Sequence, residues 1–174
     1  MRRAVFLDRD GVLTGSETRD GKPNAPRRLE DFHLLPGVVE ATQALKGAGW
    51  QLVVVTNQPD VATGKLDRAV LDAMHARLRA ELPLDDIRVC CHVDADACDC
   101  RKPKPGLLLA AARELDLTLP ESFMVGDRWR DVSAGRAAGC RTFFIDYGYA
   151  EALRDQPDFT VRSLPEAVGL ILRA

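Results

Sequence analysis

The sequence predicts an α/β fold, in which a mainly parallel β-sheet lies between two layers of helices. Two observations support this prediction. Apolar, strand-like runs recur along the chain, at residues 4–7, 51–55, 87–91, 123–125 and 142–145. Between these runs apolar residues repeat with helical spacing, and strands that alternate with helices form parallel βαβ units. The expected architecture is a Rossmann-like three-layer sandwich.

The predicted helices are recognised by apolar residues that share one face. The three sets are Val38, Ala41, Thr42 and Leu45; Leu66, Val70, Ala73 and Leu78; and Leu108, Ala111, Ala112 and Leu115. A last helix is expected to begin with the capping box Ser163-Leu164-Pro165-Glu166, after a short strand at residues 160–161. Residues 15–36 form the longest irregular stretch, and a loop of this length in a small domain is usually functional.

Length and composition limit the class of protein. A chain of 174 residues is expected to form one domain over residues 1–174, and 46% apolar with 29% charged residues is ordinary for a folded protein. The net charge of −2 gives no general attraction to nucleic acid or to an anionic membrane. The apolar run after Met1 is too short for a signal peptide, so we expect a cytoplasmic protein. We also expect a monomer whose partner is a phosphorylated small molecule.

Acidic residues follow two of the predicted strands. Asp8 and Asp10 come directly after the first strand, and Asp127 follows the run at 123–125. The carboxyl ends of parallel strands meet at one edge of the sheet, where ligands bind. Carboxylates that meet there repel one another unless a cation relieves them, and Mg²⁺ prefers carboxylate and carbonyl oxygens. Any one of these acids alone is equally compatible with an ordinary turn.

Other polar residues near this edge suit a phosphoryl group. Thr56 and Asn57 end the second predicted strand and can donate hydrogen bonds to phosphate oxygens. Further along, the sequence reads Arg101-Lys102-Pro103-Lys104-Pro105-Gly106. The prolines fix this loop, so a lysine in it is a positioned charge, which phosphoryl transfer requires. Each feature alone would also fit an Asx turn or a solvated basic loop.

The motifs, taken in their order along the chain, resemble the haloacid-dehalogenase-like (HAD) phosphatases, from about residue 5 to residue 147. This resemblance implies that Asp8 is the nucleophile that forms an aspartyl-phosphate and that Asp10 is the general acid and base. It also implies that Thr56 and Lys102 hold the phosphoryl group. Lys102 is preferred to Lys104 because the family's Arg-Lys-Pro motif places the lysine there.

The resemblance implies a metal and a substrate as well. Asp8, the backbone carbonyl of Asp10 and Asp127 would bind Mg²⁺, with Asp131 supporting them. Asn57, Arg101 and Arg128 are the candidate substrate-binding residues. Too little chain separates the second strand from the lysine loop for a large cap domain, so the site should be open and shaped by loops.

Cysteines cluster just before the lysine loop. Four residues make a normal tetrahedral zinc set: Cys90, His92, Cys98 and Cys100. Four protein ligands leave no position for water, so this zinc would be structural and would stiffen the loop that carries Lys102. Cys91 should point away from Cys90, and Cys140 should be a core residue. The alternative is a pair of buried cysteines beside an unrelated reducible pair.

The cysteine pattern followed by Arg-Lys-Pro resembles one subgroup of the family, which holds D-glycero-D-manno-heptose 1,7-bisphosphate phosphatases and histidinol-phosphate phosphatases. The short gap between His92 and Cys98 is similar to the zinc loop of the histidinol enzymes. The sequence Arg-Lys-Pro-Lys-Pro-Gly is instead similar to the lysine loop of the heptose enzymes. Histidinol phosphate carries an amine that needs carboxylates, and a bisphosphate needs additional cations.

Charged residues near the site favour the bisphosphate. The cations are Arg101, Arg128, Arg19, Lys22, Arg27 and Arg28, and the acids that could instead receive an amine are Asp94, Asp96 and Asp99. We therefore expect a sugar bisphosphate, with histidinol phosphate as the alternative. A non-catalytic sensor of phosphorylated ligands is a third hypothesis because a fold does not determine a function.

Overall fold

Eight strands and five α-helices follow one another in the computed structural model, which describes residues 1–174. In chain order they are β1 (Ala4–Leu7), β2 (Glu17–Arg19), β3 (Lys22–Asn24), α1 (Val38–Gly47), β4 (Gln51–Asn57), α2 (Arg68–Glu81), β5 (Asp86–Cys90), α3 (Gly106–Leu115), β6 (Phe123–Gly126), α4 (Trp129–Ala138), β7 (Arg141–Ile145), β8 (Phe159–Val161) and α5 (Leu164–Ile171). Short 3-10 turns lie at Leu29–Asp31, Asp94–Asp96 and Leu119–Glu121.

Six strands form one parallel sheet in the order β5-β4-β1-β6-β7-β8. β1 lies inside the sheet, with Leu7 opposite Val54 of β4 and Val125 of β6. The chain extends the sheet from β1 to β5 on one side and then returns to β6 on the other. The order of strands therefore switches beside β1, and the crevice at such a switch point is the usual ligand site of an open α/β sheet.

The sheet is buried on both faces, which confirms the predicted three-layer sandwich. Val5 and Leu7 of β1 belong to one core, and Ala4 and Phe6 belong to the other, all with 0% exposure. Helices α1, α2 and α5 cover the first core, and α3 and α4 cover the second. A strand buried on both faces needs an uninterrupted apolar run, which is why β1 shows no alternation of polar and apolar residues.

The helices differ in how closely they follow the predicted faces. α1 buries the same four residues that the sequence predicts. α2 begins only at Arg68, because the side chain of Asp67 caps it by accepting a hydrogen bond from the Ala69 N–H at 2.9 Å. Leu66 therefore lies outside the helix, although it is buried. The buried face of α2 consists of Leu71, Met74 and Leu78.

The last helix begins where the sequence predicts, with a modified cap. The Ser163 Oγ accepts a hydrogen bond from the Glu166 N–H at 3.3 Å. The Glu166 carboxylate reaches back to the Arg162 N–H at 2.7 Å and not to Ser163, so the reciprocal half of the capping box is displaced by one residue. β8 precedes the helix as expected.

The stretch 15–36, expected to be irregular, contains an antiparallel hairpin of β2 and β3. This hairpin is the only strand pair inserted between β1 and α1, and no large cap domain interrupts the sheet, as the sequence predicts. None of the helices has the length and hydrophobicity needed to span a bilayer.

Candidate active site

A cavity of about 350 Å³ lies at the carboxyl edge of the sheet, beside the end of β1. Only one of its 17 lining residues is hydrophobic, so the cavity suits a polar ligand. The charged lining residues are Asp8, Asp10, Lys22, Asp60, Arg101, Lys102, Asp127, Arg128, Arg130 and Asp131. The acids that follow two separate strands in the sequence, Asp8 and Asp10 after β1 and Asp127 and Asp131 after β6, thus meet at one site.

Lys102 lies at the centre of the acidic group and is only 2% exposed. Its Nζ donates hydrogen bonds to Asp8 Oδ1 at 2.9 Å, to Asp131 Oδ1 at 2.6 Å and to the Val55 carbonyl at 2.8 Å. Burial disfavours the ammonium charge, but Asp131 and Asp8 outweigh this effect and raise the pKa of Lys102. By contrast, Lys104 is exposed and bonds to the Cys98 carbonyl at 2.8 Å.

Asn57 holds the backbone of Lys102 in place. Its Nδ2 donates to the Lys102 carbonyl at 3.0 Å, and its Oδ1 accepts from the Lys102 N–H at 3.1 Å. From the sequence, Asn57 is predicted to bind substrate. The residue does line the cavity, but its amide is engaged with the lysine loop in this geometry. Its clearest structural effect is to position Lys102.

Asp8, Asp127 and Asp131 offer carboxylate oxygens that all lie within 4.8 Å of one another. Three ionised carboxylates and the ammonium of Lys102 would leave a net charge of −2, which one divalent cation balances. Asp127 Oδ1 is buried and receives no hydrogen bond. The backbone carbonyl of Asp10 also accepts none. These oxygens fit a hard divalent cation such as Mg²⁺.

The crowding of the acids also changes their acidity. Burial, followed by the charge of Asp131, raises the pKa of Asp8 to about 7, although Lys102 acts in the opposite direction. Burial, followed by the charges of Asp8 and Asp131, raises the pKa of Asp127 as well. A cation bound among these oxygens would favour the ionised form of each acid.

The carboxylate of Asp10 is held by two residues that the sequence analysis did not identify, Arg9 and Gln58. Arg9 Nη2 donates to Asp10 Oδ1 at 3.0 Å, and Gln58 Nε2 donates to Asp10 Oδ2 at 2.8 Å. Arg9 is fully buried. A sequence signal for it existed, because an arginine between two aspartates at the end of a buried strand needs an ionic partner.

Thr56 is buried next to the cavity but is not among the residues that line it. Its Oγ1 accepts a hydrogen bond from Gln58 Nε2 at 2.9 Å, which leaves the hydroxyl proton free to donate. The predicted contact between Thr56 and a phosphoryl group therefore requires a ligand that reaches the floor of the cavity.

Two predicted arginines are at the cavity, and a third joins them. Arg101 Nε and Arg130 Nη2 both donate to Asp94, at 2.7 and 3.0 Å. Arg128 forms a bidentate ion pair with Glu151, with its shortest contact at 2.6 Å. Arg130 belongs to no motif recognised in the sequence, and its Nη1 also donates to the Lys102 carbonyl at 3.1 Å.

The predicted basic loop contributes less than expected. Lys22 lines the cavity and forms no ion pair. Arg27 pairs with Asp60 at 2.8 Å. Arg19 pairs with Glu17 within the hairpin, and Arg28 pairs with Glu30 and Asp31 at the surface. Of the four cations of this loop, only Lys22 lines the cavity, and nearby acids pair with the other three.

The cysteine cluster has the geometry that a tetrahedral metal site needs. Cys90, His92, Cys98 and Cys100 converge, and their Sγ and Nδ1 atoms in contact are 3.1–3.7 Å apart. Bonds of about 2.0–2.3 Å from a central zinc give ligand separations of this order. Cys91 packs against the opposite core from Cys90, and Cys140 is buried, both as the sequence predicts.

Two glycines without side chains leave room for the acids beside the backbone. A Cβ on Gly11 would lie 2.1 Å from Asp127 Oδ2, and a Cβ on Gly126 would lie 2.1 Å from the Asp131 Cβ. Gly11 also has a φ of +85°, a conformation that favours glycine. Only glycine at these two positions allows the carboxylates to approach the backbone so closely.

Two tyrosines after β7, which no sequence motif indicates, lie beside the site. Tyr147 donates its hydroxyl to the Gly11 carbonyl at 2.7 Å, and Tyr149 donates to Asp127 Oδ2 at 2.9 Å. Burial, followed by the charge of Asp127, raises the pKa of Tyr149, so this phenol remains a donor. No spacing rule links these tyrosines to the strand-end acids.

The arrangement defines a class of hydrolase with a strand-end aspartate, a neighbouring lysine and an acidic site for a divalent cation. A profile of the haloacid dehalogenase-like hydrolase family matches residues 23–139. The chain therefore belongs to the haloacid dehalogenase-like hydrolase family, and the resemblance inferred from its motifs is confirmed.

Individual relatives are similar over most of the chain. The D-glycero-β-D-manno-heptose-1,7-bisphosphate 7-phosphatase of Pseudomonas aeruginosa is 38% identical over 153 residues, covering 84% of this chain and 83% of that protein. The Escherichia coli K12 protein of the same name is 34% identical over 151 residues, covering 80% and 76%.

Solved structures show the same similarity. The D,D-heptose 1,7-bisphosphate phosphatase from B. bronchiseptica, complexed with magnesium and phosphate, matches with a TM-score of 0.85 and 31% identity over 98% of each chain. The corresponding enzyme from Burkholderia thailandensis matches with a TM-score of 0.71 at 24% identity and supports the fold.

Proposed function

We propose that this protein, acting as one catalytic domain, is a Mg²⁺-dependent phosphomonoesterase that removes one phosphate from a sugar bisphosphate. The proposed substrate is D-glycero-D-manno-heptose 1,7-bisphosphate, and the phosphate lost is that on C7. The names of the relatives and the polar cavity support this substrate.

One observation carries the proposal most strongly. Lys102 Nζ bonds to Asp8 Oδ1 at 2.9 Å, whereas Asp8 Oδ2 receives no hydrogen bond from the protein. A nucleophilic carboxylate needs one oxygen that is held and one that is free. It also needs a neighbouring cation that offsets its repulsion from an anionic phosphate.

The chemistry follows from these positions. Asp8 Oδ2 attacks phosphorus and forms an aspartyl-phosphate, while the bond from phosphorus to the sugar oxygen breaks. Asp10 gives its proton to that departing oxygen. It then accepts a proton from the water that hydrolyses the aspartyl-phosphate, so that phosphate leaves and Asp8 is restored. Lys102 neutralises charge on the phosphoryl oxygens throughout.

Mg²⁺ would be held by Asp8, the Asp10 carbonyl and Asp127, and when bound it supplies positive charge that stabilises the phosphoryl group. Asp131 supports the site by holding Lys102: its Oδ1 accepts from Lys102 Nζ at 2.6 Å, and its Oδ2 accepts from the Arg128 N–H at 3.0 Å. Zn²⁺ would be held by Cys90, His92, Cys98 and Cys100, and its role would be structural, because it would fix the loop that leads into Arg101 and Lys102.

The acids of the zinc loop argue against histidinol phosphate. Asp94 accepts from Arg101 and Arg130, and Asp96 accepts from the Val93 N–H at 2.8 Å. Asp99 is fully exposed, and none of the three acids lines the cavity. An amine bound in the cavity would therefore meet none of these three carboxylates, whereas Lys22 offers an unpaired cation to a second phosphate.

Phosphate release from a panel of substrates tests the proposal. The panel holds heptose 1,7-bisphosphate, heptose 7-phosphate, other sugar phosphates and histidinol phosphate, each with Mg²⁺. We expect the highest kcat/KM for the heptose bisphosphate. A higher value for histidinol phosphate would overturn the substrate, and no turnover on any member would favour a non-catalytic sensor.

A further inference from the structure

The segment between β7 and β8 passes across the acidic site and is tied to it by two hydroxyl groups. Tyr147 donates to the Gly11 carbonyl at 2.7 Å, and Tyr149 donates to Asp127 Oδ2 at 2.9 Å. The rings lie 5.6 Å apart between centroids. Tyr149 is half-buried whereas Tyr147 is exposed, so the bond from Tyr149 to Asp127 is the better sheltered of the two from competing water.

The two oxygens of Asp127 consequently have different surroundings. Oδ2 is packed against Gly11, where a Cβ would come within 2.1 Å of it, and it accepts the hydrogen bond from Tyr149. Oδ1 is buried without any hydrogen-bond donor. A buried carboxylate oxygen without a donor is costly unless a cation occupies the position in front of it.

We propose that Tyr149 is a positioning residue of the cation site, which fixes the Asp127 carboxylate so that Oδ1 is presented to the metal. The inference rests on the proposed Mg²⁺ site. Hydrogen-bond partners behind metal ligands orient those ligands, and their loss typically weakens metal binding by about 10- to 100-fold. Without the hydroxyl, the carboxylate can rotate about its terminal torsion angle, which is only weakly restrained by rotamer preference.

Mg²⁺ affinity measured without substrate tests this role directly. Tyr149→Phe removes one hydroxyl, and isothermal titration calorimetry should show Mg²⁺ binding weakened by about tenfold or more. Tyr147→Phe is the matched control, because it makes the same chemical change in the same segment but contacts the backbone and not an acid. We expect its affinity to remain within about threefold of wild type.

Kinetics and a second ion provide independent measurements. In Tyr149→Phe the Mg²⁺ concentration that gives half-maximal phosphate release should rise, while kcat at saturating Mg²⁺ should stay near wild type. A Mn²⁺ titration, followed by the paramagnetic resonance signal of the free ion, should show the same order of affinities. Melting temperatures without added Mg²⁺ establish that the variants are folded.

The outcomes separate this inference from the proposed function. If wild type and Tyr149→Phe bind Mg²⁺ equally, or if both tyrosine variants lose affinity equally, the inference is wrong and the phosphatase proposal is unaffected. If wild type binds neither Mg²⁺ nor Mn²⁺ at millimolar concentration, the cation site fails, and the inference fails with it.

Discussion

Arg9 and Asp10, adjacent in sequence, form an ion pair in which the arginine is fully buried and the aspartate faces the cavity. Arg9 Nε and Nη2 both donate to Asp10 Oδ1, at 3.1 and 3.0 Å. The remaining Nη1 lies 3.2 Å from His75 Nε2 on α2. Burial, followed by the charge of Arg9, lowers the pKa of His75 to about 4, so this imidazole is neutral and can accept the bond.

The first prediction concerns this pair. Arg9→Lys keeps a charge but loses the two-donor contact, so Asp10 should be oriented less well. We expect kcat on a sugar phosphate to fall by about tenfold or more, and kcat on an activated aryl phosphate to fall less, because a good leaving group needs little help from an acid. Phosphate release from the two substrates measures the difference.

Controls make the result specific to Asp10. Arg27→Lys changes another arginine paired with an aspartate, and it should affect both substrates equally and slightly. Asp10→Asn should show a larger version of the Arg9→Lys pattern. Equal losses on both substrates for Arg9→Lys would mean that Arg9 stabilises the fold without orienting the acid.

A second prediction concerns Asp8. Asp8→Asn should abolish phosphate release, since the amide cannot form the aspartyl-phosphate. The same variant should be more stable at pH 8 in Mg²⁺-free buffer, by about 1 kcal/mol or more, because each pKa unit corresponds to about 1.4 kcal/mol. Urea unfolding measures this, without chelator so that zinc is retained. Turnover by a folded Asp8→Asn protein would exclude Asp8 as nucleophile.

The sign of the pH dependence follows from the raised pKa. Asp8 has a folded pKa of about 7 against an ordinary value of 3.8, so the folded state holds the proton more strongly. Its contribution to stability is present below about pH 4 and is lost as the pH rises to about 7. Added Mg²⁺ should reduce the loss. Asp116→Asn, a change at an exposed acid, should keep the wild-type dependence.

Sequence patterns predict the parts of the site that depend on strand ends and on the spacing of residues along the chain. Asp8 and Asp127 are recognisable because buried strands end at them, and Cys90 and Cys98 because of their spacing. A parallel sheet then brings the strand ends together without further information. The same reasoning recovers the three layers of the fold.

The contacts that sequence reasoning missed depend on side chains that meet only in three dimensions. Tyr149 reaches Asp127 from the segment after β7, and His75 reaches Arg9 from α2. Neither pair has a periodic or motif-level signature. The basic loop was overestimated for a related reason: the sequence shows that Arg27 is charged, but not that Asp60 lies 2.8 Å from it.

The third prediction concerns the cysteine cluster. The purified protein should contain about one zinc per chain, and Cys98→Ser should lose it, because serine is a poorer zinc ligand than cysteine thiolate. The free energy of unfolding should fall by about 2 kcal/mol or more, since zinc binding contributes to folding. Phosphate release should decline as well, through a less ordered Lys102.

Cys91→Ser is the matched control, because Cys91 is next to Cys90 in the chain but packs against the opposite core. It should retain zinc. Elemental analysis of both proteins, purified under reducing conditions, distinguishes the cases. A wild-type protein without zinc, or one whose stability survives complete chelation, would contradict the structural role of the metal.

The last prediction concerns the second phosphate of the substrate. Lys22 lines the cavity without an ion-pair partner. Arg101 pairs with one acid, Asp94, and Asp94 also pairs with Arg130. Each can therefore meet an additional phosphate on a bound sugar. A hydrogen bond to a charged group contributes about 1.5–3 kcal/mol, so Lys22→Ala or Arg101→Ala should lower kcat/KM for heptose 1,7-bisphosphate by about 10- to 100-fold relative to heptose 7-phosphate.

Lys65→Ala, a change at an exposed lysine outside the cavity, is the control and should leave the ratio of the two substrates unchanged. The effect of Lys22 should weaken as salt is added, because Lys22 is exposed and its field is screened beyond about 10 Å at 0.1 M salt. Equal losses on the monophosphate and the bisphosphate would mean that these cations attract anions generally. The preference for a bisphosphate would then have to come from contacts with the sugar.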